Sequence, residues 1–83
     1  METQKILGDL EALFREVLNQ PGLQLFEDTT ANDVAGWDSL NHAILMSEVQ
    51  KQFKLQFSIK EVLGLKKVGD LVTIIALRKA GKS

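Results

Sequence analysis

The residues with the clearest capacity for chemistry are Gly36-Trp37-Asp38-Ser39-Leu40, between a polar loop and an amphipathic segment. Asp38 is a favourable helix N-cap, because its carboxylate can accept hydrogen bonds from the free N–H groups of the first turn. Ser39 then takes the first helical position, where a phosphate on its hydroxyl would meet backbone donors and the positive end of the helix dipole. The site is therefore suited to carrying a phosphodiester. Taken alone, Asp38-Ser39-Leu40 favours an ordinary cap beside an unmodified serine, since three residues are a weak motif, and only the elements that follow it change this interpretation.

Length and composition limit the function classes. The 83 residues indicate one domain, residues 1–83, too small for an enzyme whose cleft is built from several layers. The chain has no cysteine, which excludes disulfides, thiolate metal sites and a cysteine nucleophile. We therefore expect a protein that displays a group and is not an enzyme, with no metal site.

Targeting signals are absent from the sequence. No apolar run approaches the roughly 18 residues of a membrane span, and the N-terminus leads straight into an amphipathic pattern unlike that of a signal peptide. These features predict a cytoplasmic location without membrane insertion. We also expect the protein to be a monomer.

The net charge of −1 is unevenly distributed. Residues 1–37, 38–57 and 58–83 carry charges of −5, 0 and +4. The basic third has no interleaved aromatic residues, and some of its cations lie where they complement a helix C-terminus. We interpret it as a solvated basic end and expect no nucleic acid partner.

Apolar spacing predicts the helices that must position Ser39. A first helix is predicted over about residues 3–18, and it stops at Asn19-Gln20-Pro21-Gly22. It carries one continuous apolar stripe: Ile6, Leu7, Leu10, Leu13, Phe14, Val17 and Leu18. A loop of almost twenty residues follows, and loops of that length are usually functional or anchored. Its predicted anchors are Leu23, Leu25, Phe26, Val34 and Trp37, with a helical turn capped by Thr30 and Asp33.

Three further helices follow. The second, Asp38 to about Phe53, is expected to bury Leu40, Ala43, Met46, Val49 and Phe53, with Ile44 and Leu45 widening the apolar arc. Ser58 and Glu61 form a capping box that starts a short third helix, with Ile59, Val62 and Leu63 on one face and Gly64 at its end. The fourth carries the stripe Val68, Leu71, Val72 and Ile75 and stops at Gly81. The predicted fold is all-α, an antiparallel four-helix bundle with a short third helix and a long first loop.

In this order of elements the chain resembles the acyl carrier protein family over nearly its whole length. The residues that carry the resemblance are Gly36-Trp37-Asp38-Ser39-Leu40 at the start of the second helix, Phe53 near its end, and Val68-Gly69-Asp70-Leu71 at the start of the fourth. The resemblance implies that Ser39 receives 4′-phosphopantetheine from coenzyme A and that the terminal thiol of this arm carries acyl groups as thioesters. The missing cysteine is consistent with this, because the reactive sulfur belongs to the arm.

The resemblance also implies partners. A phosphopantetheinyl transferase would modify Ser39, with Asp38 and Leu40 beside it in cofactor binding, and acyl-loading, acyl-transfer or synthase enzymes would follow. For Leu40, a position in the core and a docking contact with a partner are equally expected. The expected partner-binding residues of the second helix are Leu40, Asn41, Ile44, Ser47 and Glu48. For Ile44, packing against the long loop is slightly favoured over a partner contact.

An attached chain has two expected locations, solvent or the bundle interior. An interior pocket would be lined by uncharged residues of the last three helices and their connections: Met46, Val49, Phe57, Val62, Leu65, Leu71 and Ile75. In a bundle this small, such a pocket requires the third helix to shift.

Two departures from the family pattern point away from housekeeping fatty acid synthesis. Trp37 stands where fatty-synthesis carriers often have a small residue, and the second helix is weakly charged where the family's is commonly acidic. We therefore expect a carrier of the specialised type, which serves partner enzymes of a fatty acid, polyketide or related pathway other than housekeeping synthesis.

Other functions remain as alternatives. The cargo of a carrier could be aminoacyl or peptidyl, and a helical interaction module would leave its serine unmodified. A serine hydrolase with a Gly-Asp-Ser-Leu block is disfavoured because Trp37 interrupts the block. The single histidine, His42, is interpreted as an exposed surface residue with no oriented carboxylate.

Overall fold

The computed structural model describes residues 2–80, which form four α-helices and a single 3₁₀ turn. The helices are α1 (Glu2–Val17), α2 (Ser39–Phe53), α3 (Ile59–Gly64) and α4 (Val68–Ala80), and the 3₁₀ turn is Ala31–Asp33. Residues 2–80 contain no strand. The all-α four-helix fold with a short third helix and a long first loop is confirmed, while the predicted stop at Gly81 lies outside the described residues.

The core forms around α1, which packs against α2 and α4. The apolar stripe predicted for α1 is confirmed, because Ile6, Leu10 and Phe14 are at most 1% exposed. Buried side chains from the other helices complete this core: Leu45, Met46, Val49, Val68, Leu71, Val72 and Ile75.

The orientation predicted for α2 is partly wrong. Met46 and Val49 are buried and Phe53 packs against the core, but Leu40 and Ala43 are exposed. Leu45, expected at the edge of the apolar arc, is fully buried. The inward face is therefore rotated toward Leu45, because α2 is apolar on more than one side and contact with α1 selects among those sides.

The long loop is anchored at several points. Leu25 and Val34 are buried as predicted, whereas Phe26 is 58% exposed and is not an anchor. The Thr30 backbone N–H donates to Asp33 Oδ2 over 3.0 Å, which confirms the predicted cap of a helical turn. At the other end of the chain, Val68 N and Gly69 N, the first amides of α4, donate to loop carbonyls at 2.8 and 2.7 Å.

The helix α3 begins at the predicted capping box. Ser58 Oγ accepts from Glu61 N over 3.1 Å, and Glu61 Oε1 accepts from Ser58 N over 2.9 Å. Val62 packs against the core, but Ile59 and Leu63, expected on the same apolar face, are almost 80% exposed. The helix therefore leaves most of its apolar surface uncovered.

Within the described residues, no helix has both the length and the apolar character needed to cross a membrane.

Candidate functional site around Ser39

Ser39 is exposed and is the first residue of α2. The predicted N-cap is confirmed, because Asp38 has extended backbone and its Oδ1 accepts from Asn41 N over 2.9 Å. The Asn41 side chain in turn donates to the Gly36 carbonyl over 2.7 Å. Gly36 has a φ of +83°, a conformation that side chains disfavour, so a glycine suits the bend that precedes the cap. These contacts stabilise the turn before Ser39.

A groove of about 360 Å³ lies beside the serine, and we call it the Ser39 groove. Its lining comes from the end of the long loop, the start of α2 and the region of α3: Ala31, Trp37, Asp38, Ser39, His42, Val62, Leu63, Leu65 and Lys66. The lining is mostly apolar, with one acid and one cation. A group attached to Ser39 therefore has an apolar surface within reach.

The interpretation of His42 as an exposed surface residue is wrong. The ring is half-buried and stacks on the Trp37 indole, with centroids 6.0 Å apart and planes inclined by 24°. Trp37 Nε1 donates to His42 Nδ1 over 2.9 Å, and His42 Nε2 lies 3.1 Å from the Val62 carbonyl oxygen. Trp37 also meets Phe14 of α1 edge-on at 5.0 Å. Both histidine nitrogens are engaged, so His42 is not placed to act as a base on Ser39.

The expected partner-binding residues lie on or near the outer side of α2. Leu40 is 72% exposed, so its interpretation as a core residue is wrong. Ile44 is 41% exposed, so the favoured packing against the long loop does not bury it. Ser47 is exposed, and Asn41 and Glu48 are half-buried.

The residues expected to line an acyl pocket separate into two groups. Four are at most 2% exposed and belong to the core: Met46, Val49, Leu71 and Ile75. The other three, Phe57, Val62 and Leu65, are partly buried against it. Of the seven, Val62 and Leu65 line the Ser39 groove.

The sequence did not predict two contacts of this region. The bridge from Trp37 through His42 to Val62 joins residues as far as 20 positions apart, which local patterns do not reveal. The side chain of Gln50 accepts from Phe57 N over 2.9 Å and so stabilises the segment before α3. The five-residue spacing of Trp37 and His42 is the one local signal, since it lets the first turn of a helix face its preceding loop.

The arrangement can display a group attached to a hydroxyl. Ser39 is accessible at a helix start, where a phosphodiester is favoured by the local backbone dipoles. The residues present therefore fit an arm joined through phosphate, with Lys66 at the groove as an additional cation. The arm would supply the thiol that this chain lacks.

Comparison with known proteins agrees with this chemistry. The family model described as "Phosphopantetheine attachment site" matches residues 8–75. The structure is similar to that of a holo acyl carrier protein from Geobacter metallireducens, determined in solution by NMR, with 34% identity and a TM-score of 0.84, covering 100% of this chain and 95% of that one. It also shares its fold with a proposed acyl carrier protein from Mycobacterium tuberculosis, with 24% identity and a TM-score of 0.78 over 87% of this chain and 96% of that one. No curated protein matches the sequence closely enough to count as a relative.

The family match spans more than half of the chain, and both structural relatives share the four-helix fold. Domains of this family attach 4′-phosphopantetheine covalently and carry substrates for other enzymes without being enzymes themselves. The chain therefore belongs to the phosphopantetheine-binding family of acyl carrier proteins.

Proposed function

We propose that Ser39 is the attachment residue and that this protein carries acyl intermediates as thioesters on the resulting 4′-phosphopantetheine arm. The observation that supports this most is the exposed hydroxyl of Ser39 at the first position of a helix capped by Asp38. The serine oxygen would form the ester bond to the phosphate, and the first turn of α2 would stabilise its negative charge. The arm then delivers the acyl group to the active sites of partner enzymes.

Asp38 and Leu40 flank the attachment residue and have different proposed roles. Asp38 caps α2 and also presents an exposed carboxylate to the transferase or its metal ion. Leu40 offers a largely exposed apolar side chain one residue beyond Ser39, which suits a docking contact.

Partner enzymes would bind the outer side of α2 and the exposed side of α3. The proposed contacts on α2 are Leu40, Asn41, Ile44, Ser47 and Glu48, and the exposed Ile59 and Leu63 extend this surface across α3. Few charges stand on it, so contacts would be mainly apolar and hydrogen-bonding, with little electrostatic steering. We therefore propose dedicated partners in a specialised pathway. The cytoplasmic location and the monomeric state stay predictions.

Incubation with coenzyme A and a broad-specificity phosphopantetheinyl transferase tests the attachment residue. The wild-type protein and Thr73→Ala, which removes an exposed hydroxyl of α4 outside the proposed partner surface, should gain the mass of one arm. Ser39→Ala should gain none and keep its helical circular dichroism signal, because only a first-turn hydroxyl is lost. Modification of Ser39→Ala would refute the assignment, and no modification of the folded wild type would favour an unmodified interaction module.

A further inference from the structure

The short helix α3 is held in place by few contacts. Its apolar residues Ile59 and Leu63 face solvent, and Val62 is the one that packs against the core. Arg78 of α4 forms an ion pair with Glu61 in the first half of α3. Polar contacts therefore contribute a large share of what keeps α3 against the rest of the bundle.

His42 forms a hydrogen bond with the second half of α3, at Val62. Tryptophan Nε1 can only donate, so the nitrogen that receives its hydrogen bond, His42 Nδ1, carries no proton. In a neutral ring the proton is then on Nε2, which donates to the Val62 carbonyl at 3.1 Å. Trp37 thus selects the tautomer that binds α3.

The Val62 carbonyl belongs to the last turn of α3, where helices leave carbonyl groups without intrahelical partners. In a longer helix Lys66 N would donate to it, but Lys66 N donates to Asp70 Oδ2 over 3.0 Å. The His42 imidazole of α2 therefore donates to the Val62 carbonyl in place of the Lys66 amide.

The hydrogen bond between His42 and Val62 lies at the boundary between the Ser39 groove and the core. His42 and Val62 both line the groove with Ser39. Met46, one turn beyond His42 on the same side of α2, is 2% exposed and belongs to the core. Separation of α3 from α2 at His42 would therefore connect the groove to the interior.

We propose that His42 is a latch: by binding the Val62 carbonyl, it keeps α3 closed and holds an acyl group on the Ser39 arm in the groove, and its release admits the chain between α2 and α3. The role for the acyl group rests on the proposed attachment at Ser39. The closure itself is a property of the unmodified protein. His42 is in this sense a positioning residue for the cargo.

Two substitutions separate the contacts of His42. In His42→Gln the amide nitrogen stands near the position of Nε2 and can still donate to Val62. In His42→Asn the amide oxygen stands near Nδ1 and can accept from Trp37, but the side chain is too short to reach Val62. Both variants are uncharged and polar, so they form a matched pair.

Amide hydrogen exchange of the unmodified full chain measures the closure. Loss of one hydrogen bond should speed exchange in residues 59–64 roughly fivefold in His42→Asn, while His42→Gln stays close to wild type. Residues 2–17 of α1 provide the internal control and should not respond. Equal α3 exchange in the two variants, or an equal rise in α1 in His42→Asn, would overturn the latch.

Loading the variants from octanoyl-coenzyme A with the transferase tests the consequence for cargo. In wild type and His42→Gln, chemical-shift changes should stay near the Ser39 groove, whereas in His42→Asn they should extend to Val49 and Ile75. The same pattern in all three proteins would overturn the gating role. If no variant is loaded at Ser39, the proposed function fails, and the exchange experiment still decides the closure.

Discussion

Asp38 combines a structural and a proposed functional role, and its two roles can be separated. Its carboxylate caps α2 by accepting from Asn41 N over 2.9 Å. Asp38→Ala should lower the free energy of unfolding by about 1 kcal/mol, measured by urea denaturation. Asp38→Asn keeps an oxygen that can cap the helix and should stay close to wild type in stability.

The rate at which the transferase attaches the arm then tests whether the negative charge of Asp38 contributes to modification. Asp38→Asn should be modified more slowly by the transferase than wild type, despite its retained stability, because the carboxylate is lost. Unchanged modification of the asparagine variant would contradict a contact with the transferase, and unchanged stability of the alanine variant would contradict the cap.

Glu61 makes the stability of α3 depend on pH. A hydrogen bond from the Ser58 backbone amide, and then the neighbouring Arg78, lower the pKa of its carboxyl from the ordinary value of 4.5. Because the folded-state pKa is the lower one, this stabilisation is present above about pH 4.5 and is lost as the pH falls through the folded-state value. Acidification should therefore loosen the start of α3.

Urea denaturation at neutral pH and below pH 4.5 measures this effect. Wild type should lose more stability on acidification than Glu61→Gln, which cannot change its charge. The other carboxyl groups are common to both proteins and cancel in the difference. Identical losses in the two proteins would show that Glu61 does not contribute.

At the scale of helices, close approach between α4 and the long loop gives a prediction with a matched control. A Cβ on Gly69 would lie 2.8 Å from the Glu27 carbonyl oxygen, to which Gly69 N also donates. Gly69→Ala should therefore destabilise the protein by about 1–3 kcal/mol, because backbone must move. In Gly8→Ala the new methyl group meets nothing within 4 Å on α1, so stability should rise by roughly 0.5–1 kcal/mol.

Thermal unfolding of the two variants checks this contrast. Shifts of the melting temperature in opposite directions are expected. A Gly69→Ala protein as stable as wild type would mean that the loop yields easily and does not anchor α4.

Helix starts were predictable because their signals are local. Asp38, the Thr30–Asp33 turn and the Ser58–Glu61 box each satisfy backbone donors within three residues, and all three were read correctly from the sequence. Such contacts do not depend on where the rest of the chain lies.

Orientation was less predictable, because it depends on partners distant in sequence. The side of α2 that faces α1 cannot be chosen from its spacing alone. The spacing leaves Leu40 open between the core and a docking surface and puts Leu45 at the edge of the apolar arc, whereas in the structure Leu40 is exposed and Leu45 is fully buried. His42 was misread for the same reason, since its partner Val62 is 20 positions away. A loop residue such as Phe26 is apolar without being buried, which composition cannot reveal.

At the scale of the whole molecule, the weakly charged outer side of α2 predicts how partners are chosen. A dedicated enzyme encoded beside this protein should accept acyl groups from it faster than a general fatty-synthesis transacylase does. Its rate should change little between low and high salt, because the contact has few charges to screen. Acyl-transfer assays with both enzymes measure this. Equal rates, or a steep loss with salt for the neighbouring enzyme, would contradict the proposal.

Ile44 provides the variant for this comparison, because it is a 41% exposed apolar residue on that surface. Ile44→Glu should slow transfer with the neighbouring enzyme specifically. Gln52→Glu, on an exposed neutral residue near the far end of α2, adds the same single negative charge, serves as the control for it and should have a smaller effect. Equal slowing by both variants would indicate that charge, and not the apolar contact, governs binding.

The intact mass of the protein isolated from its native cell, with fragmentation to locate any added group, tests the central claim most directly. We expect the mass of 4′-phosphopantetheine, alone or bearing an acyl group, on the fragment that contains Ser39. The same experiment identifies the cargo. An arm on a different residue, or an unmodified protein in a cell whose transferase modifies other carriers, would contradict the account.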